Sequence, residues 1–321
     1  MLSRQFTTAR KLDAVKKFVR VKAAGWPKLM NLEVTKLCNA KCDFCPCWTI
    51  KGYPQLDDFG PLVKKFRPIA LSLNGGEPLL RKDFVDIVDQ VRPYCSFLMM
   101  ITHGQLLTEN KFKELVDHGI DQVTVSCNYT GEEHDEERQI KGLTKHFASL
   151  FPKLTKQGYD NLGFNTVIMD RNLDHIIPLA KRAHEWGMKI SFSSYTALKN
   201  NKEDYRVRED QLKKLDDVVG ELLTLRKTQG NILTSEYYLK KVPEYFRKGK
   251  IEDCQAGKNF VQVTPDGYIK RCSEMPVMCH WTEYEPAKVE TPNPCDVCWL
   301  SCRGETETPI TLSRVWEYIK H

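Results

Sequence analysis

Between residues 29 and 195, short apolar runs alternate with longer segments in which apolar positions recur every three or four residues. The runs predict strands over Met30–Thr35, Ile69–Asn74, Phe97–Thr102, Gln122–Cys127, Leu162–Met169 and Lys189–Ser194. The amphipathic segments predict helices over Asp57–Phe66, Asp83–Val91, Thr108–His118, Glu133–Gln157 and Asn172–Trp186. Alternation of this kind implies a parallel sheet covered by helices. Six units are too few to close an eight-stranded barrel. The expected fold class is therefore α/β, a partial (β/α)6 TIM-like barrel over residues 29–198, with functional residues at the C-terminal ends of its strands. Residues 199–250 are highly charged and carry one apolar stripe, Leu212, Leu215, Val218, Val219 and Leu222, so a helical bridge docked on the barrel is expected there. Residues 251–308 are rich in cysteine and proline and read as a small C-terminal domain, with a last helix over 309–321. Residues 1–28 read as a basic N-terminal helix in which Leu12, Val15 and Val19 recur at helical spacing.

Composition narrows the class. Hydrophobic residues make up 41% of the 321 and charged residues 28%, enough for a proper core and far from a disordered chain. No apolar run reaches the roughly 18 residues of a membrane span. A net charge of +6 is too mild to point to nucleic acid. Twelve cysteines would suit a secreted disulfide protein only behind an export signal, and the N-terminus lacks the apolar core of one. Thiols in a reducing compartment read better as metal sites, so a cytoplasmic protein is expected. The first 24 residues set Arg4, Arg10, Lys11, Lys16, Lys17, Arg20 and Lys22 against one acid, Asp13. Three readings stay open: a helix packed on the domain by its apolar stripe, a helix on an anionic membrane face, and an organellar presequence.

The chemistry is carried by Cys38, Cys42 and Cys45, just after the first strand. Three thiolates so spaced on one loop can hold three irons of a four-iron cubane and leave the fourth open to a small molecule. The alternative is a zinc site, which usually takes four ligands and fits a lone triplet poorly. Gly75-Gly76-Glu77-Pro78 ends the second strand. Glycines there permit close approach of backbone to a ligand, and the carboxylate can accept from an ammonium group. The two motifs, in this order, resemble those of the radical S-adenosylmethionine (radical SAM) superfamily. The resemblance implies a [4Fe-4S] cluster on the three cysteines, with the amino and carboxylate groups of SAM on its open iron. It implies one-electron cleavage of SAM to a 5′-deoxyadenosyl radical, with Gly75–Pro78 holding the methionyl amine. It further implies SAM contacts from Thr102, from Ser126 at the end of the fourth strand, and from Asn165 and Thr166 in the fifth. His103 stands where the family often has asparagine. Cys95 and Cys127 read as buried small hydrophobes, and Cys47 breaks the required spacing.

Six more cysteines, Cys254, Cys272, Cys279, Cys295, Cys298 and Cys302, crowd the C-terminal region. Pro265-Asp266-Gly267 is a tight turn with alternating flanks, a hairpin that would bring Cys254 and Cys272 together. The spacing resembles the twitch domain, the short form of the SPASM extension of radical SAM enzymes, and implies one auxiliary [4Fe-4S] cluster. Cys254, Cys272, Cys295 and Cys298 are the first choice of ligands, Cys302 could replace one, and Cys279 ranks last. A structural zinc ribbon remains the alternative.

The expected function is that of a radical SAM oxidoreductase taking hydrogen from an unactivated carbon of a small metabolite, sugar or lipid precursor, with the auxiliary cluster moving an electron. The implied partners are SAM, the substrate, and an electron donor such as flavodoxin or ferredoxin, with peripheral membrane contact from the basic helix. The alternatives are a peptide maturase of the same superfamily and a non-catalytic iron–sulfur or zinc scaffold. Peptide-modifying relatives often carry a leader-binding domain, and the stretch before the first strand is too short for one. His103, Tyr129 and Tyr195 fall near strand ends, but no acid or base can be assigned among them.

Overall fold

The computed structural model describes residues 8–290 and 293–309. Helix α1 (Thr8–Ala24) leads into β1 (Leu29–Thr35), whose alternation sets the pattern of the sheet. Met30, Leu32 and Val34 are fully buried on one face, while Asn31 and Glu33 are half-buried on the other. Helix α2 (Gly60–Phe66), β2 (Ala70–Gly75), α3 (Phe84–Val91), β3 (Phe97–Thr102), α4 (Glu109–His118) and β4 (Gln122–Ser126) follow. Then come α5 (Glu132–Arg138), α6 (Leu143–Lys156), β5 (Leu162–Ile168), α7 (Leu173–Glu185) and β6 (Lys189–Ser194). The six strands pair in parallel, each beside the one before it. This is the open, partial TIM-like barrel that the alternation predicts, and all six predicted strands are present within a residue or two. Phe59, Leu62, Phe66, Phe112, Phe147, Phe151, Phe164 and Phe192 fill the core under the helices. Each contributes about 1.5–3 kcal/mol by leaving water.

The helix expected over Glu133–Gln157 is two helices. Gln139 caps α5 in the left-handed conformation (φ 53°), and Gly142 at φ 79° turns the chain into α6. Helical periodicity runs through both segments, so the break was invisible in the pattern. Its consequence is functional, because it leaves Arg138 at the end of α5 beside the cysteine loop.

Helices α8 (Leu212–Gln229) and α9 (Glu236–Lys248) then cross to the other edge, with Leu215, Val218, Val219 and Leu222 buried as the stripe predicts. Strand β7 (Phe260–Val263) pairs in parallel with β1, and β8 (Tyr268–Lys270) and β9 (Val277–His280) continue antiparallel. The cysteine-rich region thus extends the barrel's own sheet. Gly267, at φ 87°, makes the β7–β8 turn. Helix α10 (Ser301–Glu307) closes the described chain, and most of the helix expected over 309–321 lies outside the described residues.

Helix α1 does not pack as its pattern suggests. Leu12, Val15 and Val19 are each more than half exposed. The helix is pinned by its other face: Arg10 to Asp121 (2.6 Å), Ser96 to Asp13 (2.8 Å), Arg20 to the Phe66 carbonyl (2.7 Å), and buried Val21. Ser96 and Asp121 directly precede β3 and β4, so α1 lies at the end of the sheet opposite the cysteine loop. Among the described residues no helix is long and apolar enough to cross a membrane.

Candidate active site

The site is built where β1 ends. Thr35 is buried, and its hydroxyl accepts from the Leu37 amide (3.1 Å), which turns the chain into the cysteine loop. Cys38 and Cys45 are half-buried and Cys42 is buried. The Cys45 amide donates to the Cys42 carbonyl at 3.1 Å. The β2 end is packed directly on this loop: the Gly76 amide donates to the Thr35 carbonyl (2.9 Å) and the Glu77 amide to the Leu37 carbonyl (2.7 Å). A Cβ on Gly76 would sit 2.1 Å from the Leu37 oxygen, and one on Gly75 2.2 Å from that of Thr35. The glycines are therefore required first for contact between the two loops.

Glu77 is fully buried and already well supplied with donors. It accepts from the Thr102 hydroxyl (2.7 Å), the His103 amide (2.8 Å) and the Leu79 amide (3.1 Å). It ties β2 to the end of β3 and fixes Thr102 and His103, while Pro78 opens the short turn that follows. Burial lowers the His103 pKa, so the ring is neutral at pH 7. Its Nδ1 accepts from the Gln105 amide (3.2 Å), so Nε2 carries the hydrogen and donates to Asn39 (2.8 Å) inside the cysteine loop. His103 is thus a strut for that loop.

A cavity of about 150 Å³ opens between these elements, lined by Cys38, Cys42 and Cys45, by Gly75 and Gly76, by Thr102 and Ser126, and by Arg138. Arg138 is the main residue that sequence reasoning missed. It lies in Glu-Glu-His-Asp-Glu-Glu-Arg, which reads as a solvated helix face. In the fold its guanidinium is buried, donates to Cys42 Sγ at 3.3 Å, stacks over Phe44 (5.3 Å), and its Nε lies 3.5 Å from the buried Glu137 carboxylate. A buried guanidinium lining a cavity is a ready partner for a carboxylate. Burial holds the thiols of Cys38 (to about 11) and Cys42 up. A hydrogen bond from Cys47 draws Cys45 down to about 5, with Lys199 adding attraction, which makes it the readiest thiolate of the three.

Two predicted residues stand apart. Asn165 is half-buried and accepts from Ser191 (3.1 Å), and it does not line the cavity. Thr166 is a correction: it is fully buried and its hydroxyl donates to the Cys127 carbonyl (2.7 Å), because alternation along β5 turns it to the opposite face from Asn165. Cys127 is buried, and its thiol is pushed up to about 12 by burial.

Beyond the cavity lies a group of charges. Glu33 pairs with Lys36, and Lys36 lies over the Tyr53 ring (5.5 Å). Desolvation opposes the charge on Lys199, just past β6, but Cys45, Glu274, Cys47 and Glu33 outweigh it and raise its pKa.

In the C-terminal region the thiols of Cys254, Cys272, Cys298 and Cys302 are brought together. Burial raises Cys298 to about 12, with Cys272 and Cys254 pressing on it, and Cys302 is raised well up by burial and by Cys298, Cys272 and Cys254. Cys302, at the start of α10, packs against Cys254 and Cys272, and Cys298 lies just before that helix, while Cys295 is half-buried in the loop leading to it. Cys279, on β9, has Glu283 and Lys65 as its charged neighbours. The assembly is clamped by Arg303, fully buried, which donates to the carbonyls of Cys298 (2.8 Å), Ile251 (2.6 Å) and Glu252 (2.7 Å). Asn293 reaches Cys254 Sγ at 3.5 Å. Among the described residues no three His, Cys, Asp or Glu side chains converge on a single-ion site.

Comparison with known proteins agrees with this layout. Residues 32–183 match the family model of the radical SAM superfamily. A GTP 3′,8-cyclase of Clostridium perfringens (strain SM101) is 26% identical over 281 residues, covering 78% of this chain and 80% of that protein. One from Saccharophagus degradans is 29% identical over 174 residues, 51% of this chain, and this chain spans only about half of it (52%). The crystal structure of Streptococcus suis SuiB bound to S-adenosylmethionine superposes with a TM-score of 0.61 at 18% identity, covering 86% of this chain and 69% of that one, a likeness of fold.

Proposed function

The chain is a radical SAM enzyme, and we propose that it abstracts hydrogen from a small, polar, charged metabolite, using a SAM-binding [4Fe-4S] cluster on Cys38, Cys42 and Cys45 and an auxiliary [4Fe-4S] cluster on Cys254, Cys272, Cys298 and Cys302. The observation that carries the reading is the single cavity shared by the three thiols, Gly75–Gly76, Ser126 and Arg138. When bound, the cluster and SAM supply a one-electron route to a 5′-deoxyadenosyl radical, the hydrogen-abstracting species. The chain's own residues bind and orient. Arg138 offsets the charge of the Cys42 thiolate and, lining the cavity, offers its guanidinium to the carboxylate of SAM. Glu77 and neutral His103 hold the β3 end and the cysteine loop in register. Four thiols in the second set leave no open position for a substrate, which suits it to moving electrons.

The substrate class rests on Glu33, Lys36, Lys199 and Glu274, which gather beside the cysteine loop and suit a charged molecule better than a lipid. The position of α1 at the opposite end of the sheet points the same way. All twelve cysteines are free, which fits a reducing, cytoplasmic setting. A second reading, a purine nucleoside triphosphate as substrate, is favoured by the 281-residue alignment to the C. perfringens GTP 3′,8-cyclase. Anaerobic, reconstituted protein with dithionite is expected to form 5′-deoxyadenosine from SAM, and the Cys38→Ala/Cys42→Ala/Cys45→Ala variant to form none. Retained cleavage in that variant would refute the reading. Stimulation of cleavage by GTP, with consumption of the nucleotide, would favour the second substrate.

A further inference from the structure

The catalytic cavity has a larger neighbour. A second cavity, of about 330 Å³, lies on the helix-covered face of the sheet. Ser126 lines the first cavity, and the next residue, Cys127, lines the second. The Cys127 amide donates to the Asn165 carbonyl (3.0 Å), so the alternation of β4 carries through to it and the two cavities fall on opposite faces. The walls of the second are α6 and α7. The two helices are tied at one end, where the Thr155 hydroxyl donates to the Trp186 carbonyl (2.6 Å). At the other, Arg182 of α7 donates to the Thr130 carbonyl, in the segment that leads from β4 to α5. The cleft opens between these ties.

Its floor is aromatic. Phe147 and Phe164 are buried, with ring centroids 6.2 Å apart, and the half-buried Trp186 ring stands 6.1 Å from Phe164. Rings so spaced offer faces and edges to a further ring. The charge on the lining is positive alone: Arg182 and Lys145 contribute to it and, among the described residues, no aspartate or glutamate does. The half-buried Arg182 guanidinium lies over the Trp186 ring (5.8 Å), and among the described residues it pairs with no carboxylate. Lys145 approaches Glu132 only to 3.8 Å, with both side chains largely exposed, a contact of little worth. The hydroxyls of Thr130 and Thr144, also on the lining, are already engaged, with His175 (3.0 Å) and Asp135 (2.9 Å). A flat apolar body suits the rings, and an anionic group suits the guanidinium fork. The volume falls in the range of about 300–1,000 Å³ typical of small-molecule pockets.

We propose that the cleft between α6 and α7 is a second ligand site, which takes a small aromatic carboxylate with its ring on Phe147, Phe164 and Trp186 and its carboxylate on Arg182. Lys145, at the rim, adds attraction as the anion approaches. The site draws on neither set of cysteines and on no part of SAM, so it stands independently of the function proposed above.

The test uses reconstituted full-length protein, with SAM present to occupy the catalytic cavity, and two probes of one shape, cinnamate and its neutral counterpart cinnamamide, titrated by isothermal calorimetry. The parent is expected to bind one cinnamate per chain, more tightly than the amide. Arg182→Met removes the cation and keeps most of the apolar stem. It should weaken cinnamate by about tenfold or more, the worth of one charge-assisted hydrogen bond, and leave cinnamamide within about threefold. Ala148 is exposed on α6 and lines the cleft, so Ala148→Trp fills the space without entering the core. That variant should weaken both probes by about tenfold or more with the thermal unfolding midpoint unchanged. It decides the site even if Arg182→Met fails to fold. No binding of cinnamate by the parent would overturn the proposal. So would equal losses of both probes in Arg182→Met, or undiminished binding in Ala148→Trp.

Discussion

The two sets of cysteines solve related problems with opposite architectures. Cys38, Cys42 and Cys45 come from one loop of eight residues, on a rigid strand end, and present three thiols to a cavity with room left over. Cys254, Cys272, Cys298 and Cys302 come from three separated segments, a loop, the turn after β8 and the start of α10 with the residues before it, and are gathered in the fold. The arginine at each site differs in the same sense. Arg138 touches a thiol and lines the cavity, whereas Arg303 spends its donors on backbone carbonyls and one carboxylate, Glu307. The first set is arranged to react and the second to be held still.

The largest effect that separates them is on iron. Replacing Cys254 and Cys302 by alanine should take reconstituted protein from about eight irons to about four, while Cys295→Ala leaves the count unchanged. An iron loss with Cys295→Ala and none with Cys302→Ala would reverse the ligand assignment. The arginines come next. Arg303→Met strips a buried cation from three carbonyls and from Glu307 and should lower the unfolding free energy by about 3 kcal/mol or more, visible as a lower Tm. Arg138→Met should instead weaken SAM binding by roughly 10- to 100-fold, the worth of a charged hydrogen bond, with iron content kept. Arg138→Lys should recover part of the affinity, and equal binding in all three proteins would remove Arg138 from the cavity's chemistry. Gly76→Ala places a methyl against the Leu37 oxygen and should cost about 1–3 kcal/mol through overpacking, read by chemical denaturation. The smallest effect belongs to neither set. Hydrogen bonds from Lys113, Lys153 and Gln157 hold the surface carboxylate Glu109 down at about 2. A depressed carboxylate stabilises the fold above its ordinary value of 4.5 and loses that contribution as pH falls toward 2. Glu109→Gln should therefore flatten the acid limb of stability slightly without touching iron or SAM binding.

How much of this was legible in the chain follows the same division. The first set is local, so spacing after a predicted strand was enough to single out Cys38, Cys42, Cys45 and Gly75–Gly76, but the sequence read the glycines as facing a ligand and only the fold shows them packed on the Thr35 and Leu37 carbonyls. The barrel was legible because period-2 and period-3.6 patterns alternate cleanly from residue 29 to 195. The second set is nonlocal: Cys295 and Cys298 look like a metal knuckle, and only the fold shows that Cys302, at the start of α10, packs against Cys254 and Cys272. Arg138 was hidden because the break at Gln139 and Gly142 carries no mark in the apolar periodicity, and six polar residues precede it. Thr166 was misplaced because a strand offers two faces and the residue type does not say which one a threonine takes. The apolar stripe of α1 misled for a related reason. Spacing shows that a stripe exists, and only the packing of Asp13, Arg10 and Arg20 on the sheet end shows that it faces outward.

Two cubanes of which only one has an open iron are tested most directly by Mössbauer spectra of reconstituted protein, with and without SAM, alongside the Cys254→Ala/Cys272→Ala variant. The expected result is about eight irons, with SAM shifting the parameters of a single iron, and a variant with about four irons that keeps the SAM-sensitive one. About four irons in the parent, unchanged in the variant, or a spectrum indifferent to SAM, would contradict it.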